Sequence, residues 1–205
     1  MRRLVIALAF SAIASRAAAA DLAVTVKDAA GQPVNDAVVT LHAAGAAGPI
    51  RFKWPLTMTQ QDIAFHPFVL IAPVGAVVSF PNKDKVRHHV YSFSAAKSFQ
   101  LKLYGQDETR SVQFDKAGVV ALGCNIHDRM MAFIDVVDTP WAAKTVDGRA
   151  VIPDAPTGPV TLSVWHPFAK GGAQPVSRTI TVSAKGGEQA VVLDLRPPPS
   201  SKMRM

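Results

Sequence analysis

Apolar and polar positions alternate along most of the chain, and the alternation is that of strands. Leu22-Ala23-Val24-Thr25-Val26 is followed by the polar, glycine-containing turn Asp28-Ala29-Ala30-Gly31-Gln32-Pro33 and then by the apolar residues 37–41, which predicts strand, turn, strand. Residues 68–72 form an uninterrupted apolar run, the mark of a buried strand, and Pro73-Val74-Gly75 turns the chain into another at 76–80. Residues 90–93 and 99–104 alternate with period two, so each should keep one face wet. Further strands are expected at 111–114, at 119–122 leading into Gly123-Cys124, and at 132–137. Beyond Asp138-Thr139-Pro140 the pattern resumes at 160–165, 177–182 and 190–195. No long segment carries a clean helical period, so the chain reads as all-β. Ala43-Ala44-Gly45-Ala46-Ala47-Gly48-Pro49 is a low-complexity break in which no element is expected.

The two ends of the molecule share a signature. Val26-x-Asp28-x-x-Gly31-x-Pro33-Val34-x-Asp36-Ala37-Val38-Val39 resembles the opening of transthyretin-like or carboxypeptidase-regulatory-like β-sandwich modules. Thr145-Val146-Asp147-Gly148, a strand and the Pro156-Thr157-Gly158 turn resemble the second half of such a module. The resemblance implies one sandwich assembled from 21–45 and 141–196, with 60–138 inserted into it, and insertion is tolerated where chain ends lie close together. Two modules in series remain open as the alternative. Residues 197–205 are proline-rich and basic, a composition that does not support a packed core.

Residues 1–20 read as a signal peptide: Arg2 and Arg3 precede an apolar stretch at 4–13, and Ala18-Ala19-Ala20 before Asp21 supplies a small-residue cleavage site. The stretch is too short to span a bilayer, so stable membrane insertion is not expected. Export takes the mature protein out of the cytoplasm, and together with the bacterial family resemblance given below it implies the periplasm. It also changes the charge: the chain carries 22 basic and 15 acidic residues, and loss of Arg2, Arg3 and Arg16 leaves 19 against 15, a net charge near +4. The remaining basic residues are scattered with no aromatic-interleaved stripe, which gives nucleic-acid binding no support. A mildly basic surface instead suits encounters with an acidic protein partner.

The chemistry concentrates in Gly123-Cys124-Asn125-Ile126-His127-Asp128-Arg129-Met130-Met131-Ala132. Taken singly, a cysteine is most often a small buried hydrophobe and a methionine a core filler. Their spacing changes that reading. In a tight loop leaving a strand, Cys124-x2-His127-x2-Met130 can fold a thiolate, an imidazole and a thioether onto one point, and a second imidazole from a distant strand completes a blue-copper donor set. Cys124 is the only cysteine, so it forms no internal disulfide, and an exported free thiol is open to oxidation unless a metal protects it. The distant histidine is available in His88-His89-Val90-Tyr91, directly after the turn-like Pro81-Asn82-Lys83-Asp84-Lys85.

Phe80-Pro81-Asn82, His88-His89-Val90 and Cys124-x2-His127-x2-Met130 followed by a β run resemble the cupredoxins. The short ligand loop looks most like that of amicyanin, and plastocyanin has a longer version. The stretch is also similar to plastocyanin-like proteins of the methylamine-utilisation kind. The resemblance covers about residues 60–138 and implies a cupredoxin-like Greek-key β-sandwich with one type 1 copper per chain. Its ligands would be His88, Cys124, His127 and the axial Met130. His89 is the alternative to His88, since strand alternation lets only one of the pair face the metal. Met131 is the alternative to Met130, which gives the amicyanin-like spacing.

His66, His166 and His42 are expected to be packing or surface residues, and Tyr91 and Tyr104 packing residues. Cys124 and His127 also suit a nucleophile and its base, but no oxyanion-hole motif or orienting partner accompanies them, and Met130 has no role in that chemistry. The sequence therefore points away from an enzyme and towards a carrier of single electrons between a redox donor and an acceptor met transiently. The exposed edge of His127 is implied as the electron port. A copper-binding accessory or sensor is the second reading, and a sandwich for adhesion or carbohydrate binding that has lost copper the third.

Overall fold

The computed structural model describes residues 20–45 and 50–197. The expected signal peptide, apart from Ala20, and the tail beyond Pro197 lie outside the described residues, as do residues 46–49 of the alanine–glycine break.

Among the described residues every element is a strand. In chain order they are β1 (Ala20–Asp28), β2 (Val38–His42), β3 (Thr59–Gln61), β4 (Ala64–His66), β5 (Val69–Pro73), β6 (Ala76–Pro81), β7 (His88–Phe93) and β8 (Ser98–Tyr104). They continue as β9 (Thr109–Phe114), β10 (Gly118–Gly123), β11 (Met131–Val137), β12 (Ala142–Lys144), β13 (Arg149–Ala155), β14 (Gly158–Trp165), β15 (Val176–Val182) and β16 (Gly187–Leu193). The all-β class expected from the alternation is the class observed.

Strands from the two ends of the chain pair with each other. β13-β1-β16 forms one sheet, with β1 antiparallel to β13 and parallel to β16, and β12-β2-β14-β15 forms a second. The two enclose a core of Val24, Val26, Val39, Leu41, Ile152, Leu162 and Leu193, each buried by the alternating face of its strand. The middle of the chain builds separate sheets: β5-β11-β10-β7-β8, the pair β6-β9 and the small hairpin β3-β4. Their shared core contains Met58, Phe65, Phe80, Val90, Tyr104, Phe114, Leu122 and Ile134, and Cys124 and Met130 belong to it.

β5 does not alternate in burial. All five of its residues are buried because both faces are covered. Leu70 and Ala72 face the middle core, whereas Val69 and Ile71 join Val38, Val137, Ala142 and Trp165 in a third cluster between the two sets of sheets. Phe133 packs edge-on against Trp165 across the same seam. β5 lies at the edge of its sheet, and side chains cap two of its carbonyls: the Trp54 indole donates to Ile71 O at 2.9 Å and Lys144 Nζ to Val69 O at 3.0 Å. Capping an edge in this way blocks further strand addition.

Candidate metal centre

The site is built where β7 begins and where β10 gives way to β11. β10 and β11 pair in continuous antiparallel register down to Gly123 opposite Met131. Above that pair the chain closes a compact loop, with Cys124 N–H donating to Met130 O at 3.2 Å and Met130 N–H donating to His127 O at 2.9 Å. These bonds bring the first and last residues of the loop together, so the Cys124 and Met130 side chains enter the same core, 4% and 2% exposed. Met131, one residue on, is turned to the opposite face of the sheet and is 37% exposed.

The same alternation sorts the two histidines. His88, Val90 and Ser92 of β7 are buried and His89 and Tyr91 lie on the other side. His88 is fully enclosed. Its Nδ1 lies 3.2 Å from His127 Nδ1 and 3.9 Å from Cys124 Sγ, and His127 Nδ1 lies 3.6 Å from the same sulfur. His89 Nδ1 is buried with no hydrogen-bond partner, and the ring sits 5.8 Å from that of Tyr91, away from the cluster.

His88, Cys124 and His127 form a donor triangle whose fit to a metal can be tested on its edges. With bonds of about 2.0–2.1 Å to imidazole nitrogen and about 2.3 Å to thiolate sulfur, donors spread ~110–120° apart stand roughly 3.3–3.6 Å (N to N) and 3.6–3.8 Å (N to S) from one another. The observed edges of 3.2, 3.6 and 3.9 Å bracket those values. Two imidazoles and one thiol converging, with the side chain of Met130 buried in the same core as Cys124, is the donor chemistry that suits copper.

A polar network absent from the sequence reading supports the triangle. His88 Nε2 lies 2.7 Å from Asp84 Oδ2, and because a carboxylate only accepts, the ring donates its Nε2–H there. Asp84 also accepts the backbone N–H groups of Asp62 at 2.7 Å and Ile63 at 3.0 Å. Burial pushes the Asp84 carboxyl up, but the hydrogen bonds from Ile63, His88 and Asp62 outweigh it and hold the group below the ordinary carboxylate range. Buried Asn82 fixes the loop: its Oδ1 accepts Asp84 N–H at 2.9 Å, and its Nδ2 donates to Val86 O and Tyr104 O. Tyr104 lies opposite His88 in the sheet, donates its hydroxyl to Phe80 O and accepts from Gln60 Nε2. Burial raises its pKa to about 12, so it stays a phenol. An aspartate four residues before a candidate ligand histidine is the signal the sequence offers, within a stretch whose composition marks only a turn.

The remaining histidines stay outside the cluster. His42 pairs with Asp138 at 2.8 Å on the surface, His66 is exposed, and His166 Nδ1 accepts the Phe168 N–H at 3.1 Å. Burial holds His166 below the usual histidine range, against the opposing effects of Asp36 and Asn35. On the outer face beside the loop, Tyr91 lies over Gly123 so closely that a Cβ there would stand 2.7 Å from the ring. The loops also expose Ile126 and Val86, and His127 is half-buried between solvent and the cluster.

No family model and no curated protein matches the chain. Solved structures overlap part of it. The purple cupredoxin from Nitrosopumilus maritimus aligns at 20% identity over 40% of this chain and 98% of its own, with a TM-score of 0.36. A reduced tryptophan-to-tyrosine mutant of amicyanin aligns at 16% identity over 48% of this chain and 98% of its own, with a TM-score of 0.38. The Cu-containing nitrite reductase from Thermus scotoductus aligns at 26% identity over 56% of this chain but only 28% of its own, with a TM-score of 0.39. Overlaps this shallow assign no family, and the functional reading rests on the donor set.

Proposed function

We propose that this is a periplasmic type 1 copper protein that carries single electrons between redox partners. The observation that carries the reading is the triangle of His88 Nδ1, His127 Nδ1 and Cys124 Sγ, with edges of 3.2, 3.6 and 3.9 Å, and Met130 buried in the same core as Cys124. Copper held there supplies a one-electron couple between Cu(II) and Cu(I). The chain's own part is to fix the donors. Cys124 and Met130 are clamped by the closed loop, His88 by Asp84, and the whole is set into a rigid β core that excludes water.

Half-buried His127, with exposed Ile126 and Val86 on the same pair of loops, suits brief contact with a donor and then an acceptor. Transient redox contacts need only small interfaces. Lys85 and Arg87 stand exposed on the His88 loop, which favours acidic partners. In this reading the copper makes and breaks no substrate bond, and the protein is a carrier and not an enzyme. Residues 60–138 act as the copper domain, and 21–45 with 141–196 as one sandwich around it.

Titration of the mature protein with Cu(II), followed by visible absorption and electron paramagnetic resonance, tests this directly. One equivalent should give an intense thiolate-to-copper band with narrow hyperfine splitting; a colourless protein or a pale tetragonal spectrum would overturn it. The flanking sandwich, with a core of its own, favours a second reading in which copper is cargo and the sandwich is a docking module. Release of Cu(I) to an acceptor, in place of reversible electron exchange with metal retained, would select that one.

A further inference from the structure

We infer that Asp84 is a positioning residue that fixes which nitrogen of His88 faces the cluster, and that the Asp62–Ile63 turn is the brace that keeps Asp84 in place. The inference builds on the proposed metal role of His88, but its central claim concerns the metal-free protein.

His88 is fully buried, so its two ring nitrogens have no water to turn to. One nitrogen faces Cys124 and His127, and the other faces Asp84 Oδ2 at 2.7 Å. A carboxylate accepts and never donates, so in the neutral ring the proton sits on Nε2 and Nδ1 presents a bare lone pair to the cluster. Without Asp84 the proton is free to move to Nδ1, where it blocks metal ligation. A carboxylate behind a ligating histidine also makes the ligand nitrogen more basic.

Asp84 is itself held from a distant part of the chain. The two-residue turn between β3 and β4 has both residues in the left-handed region, Asp62 at φ 55° and Ile63 at φ 55°. That conformation is uncommon for any side chain and an outlier for a β-branched one. Ile63 gains little burial in return, being 51% exposed. What the conformation achieves is to aim two successive N–H groups at the Asp84 carboxylate, an anion cradle built from backbone. Strained turns of this sort cluster at working sites. Buried Asn82 fixes the Asp84 backbone from the opposite direction.

Long-range 1H–15N correlation on the metal-free protein, with imidazole nitrogens labelled, tests the tautomer without copper. His88 should appear as the Nε2–H form with a slowly exchanging ring proton; a predominant Nδ1–H form overturns the inference. In Asp84→Ala the ring-proton resonance should be lost, and affinity for Cu(II) or Co(II) should fall by about 10–100-fold. An unchanged affinity there would count against the positioning role. Ile63→Gly, which tolerates φ near 55°, should preserve both the tautomer and the affinity; loss of either would show that the turn's conformation is not what holds Asp84. A protein that passes the tautomer test yet never develops a thiolate–copper band would defeat the proposed function and leave Asp84's role standing.

Discussion

Asp135 gives the sharpest test of the seam between the two sets of sheets. It lies on β11 between Phe133 and Val137, and strand alternation puts all three on the face turned to the flanking sandwich. Val38, Thr40, His42, Val119, Ser163 and Trp165 line the same cleft of about 200 Å³. Burial, reinforced by the charge of Asp138, raises its pKa to about 6. An unfolded aspartate titrates near 3.9, so between about pH 4 and pH 6 the folded state binds a proton that the unfolded state has released. Stability contributed by that proton is present at the acid end and lost as pH rises through about 6.

Moving the carboxyl from its ordinary range to about 6 corresponds to at most ~3 kcal/mol. Asp135→Asn removes the ionisation and keeps the shape, so at pH 7.5 it should stabilise the metal-free protein by roughly 1–3 kcal/mol. For a chain of this size that is a rise in Tm of roughly 2–10 °C. Urea or thermal unfolding at intervals from pH 4.5 to 7.5, run on wild type and variant side by side, isolates the contribution because every other group is common to both. The difference should be about a third of its full value at pH 4.5 and should reach that value by pH 7. Parallel curves across the range would refute the reasoning and mean that the cleft hydrates the carboxylate.

Three further outcomes follow from the site. Gly123→Ala places a methyl within 2.7 Å of the Tyr91 ring and should cost about 1–3 kcal/mol by overpacking, visible in the Tm and in displaced Tyr91 ring resonances. Tyr104→Phe leaves buried Gln60, whose Oε1 already lacks a partner, without its Nε2 partner as well, and chemical denaturation should show a loss of about 1–3 kcal/mol. Met130→Leu should shift the reduction potential and visible spectrum of the copper-loaded protein while Met131→Leu leaves both unchanged, as paired voltammetry and absorption would show; equal shifts would break the assignment of Met130 as the inward sulfur.

Much of the architecture was legible because the chemistry is local. Alternation in residues 90–93 gave a strand whose faces the structure bears out, residues 132–137 form the expected closing strand, and the spacing of Cys124, His127 and Met130 described a loop that does close on itself. The choice between His88 and His89 depended only on which side of one strand is buried. What was not legible is long-range or short. The β3–β4 hairpin has strands of three residues and a turn with neither glycine nor asparagine, so neither periodicity nor turn chemistry announced it. Asp84 looked like an ordinary turn residue because its partners, Asp62 and Ile63, are more than twenty positions away. β12, three residues long, was hidden for the same reason of length.

The two-sided burial of β5 bears on how the molecule would come apart. The chain crosses from one set of sheets to the other twice, between β2 and β3 and again between β11 and β12, so a protease cut in either crossing leaves a second covalent tether. Excising the middle sheets as a fragment would bare Val69, Ile71 and Val137 to water together, a sticky strip along a sheet edge. A nicked chain should therefore migrate as one particle under native conditions and separate into two bands only in denaturant.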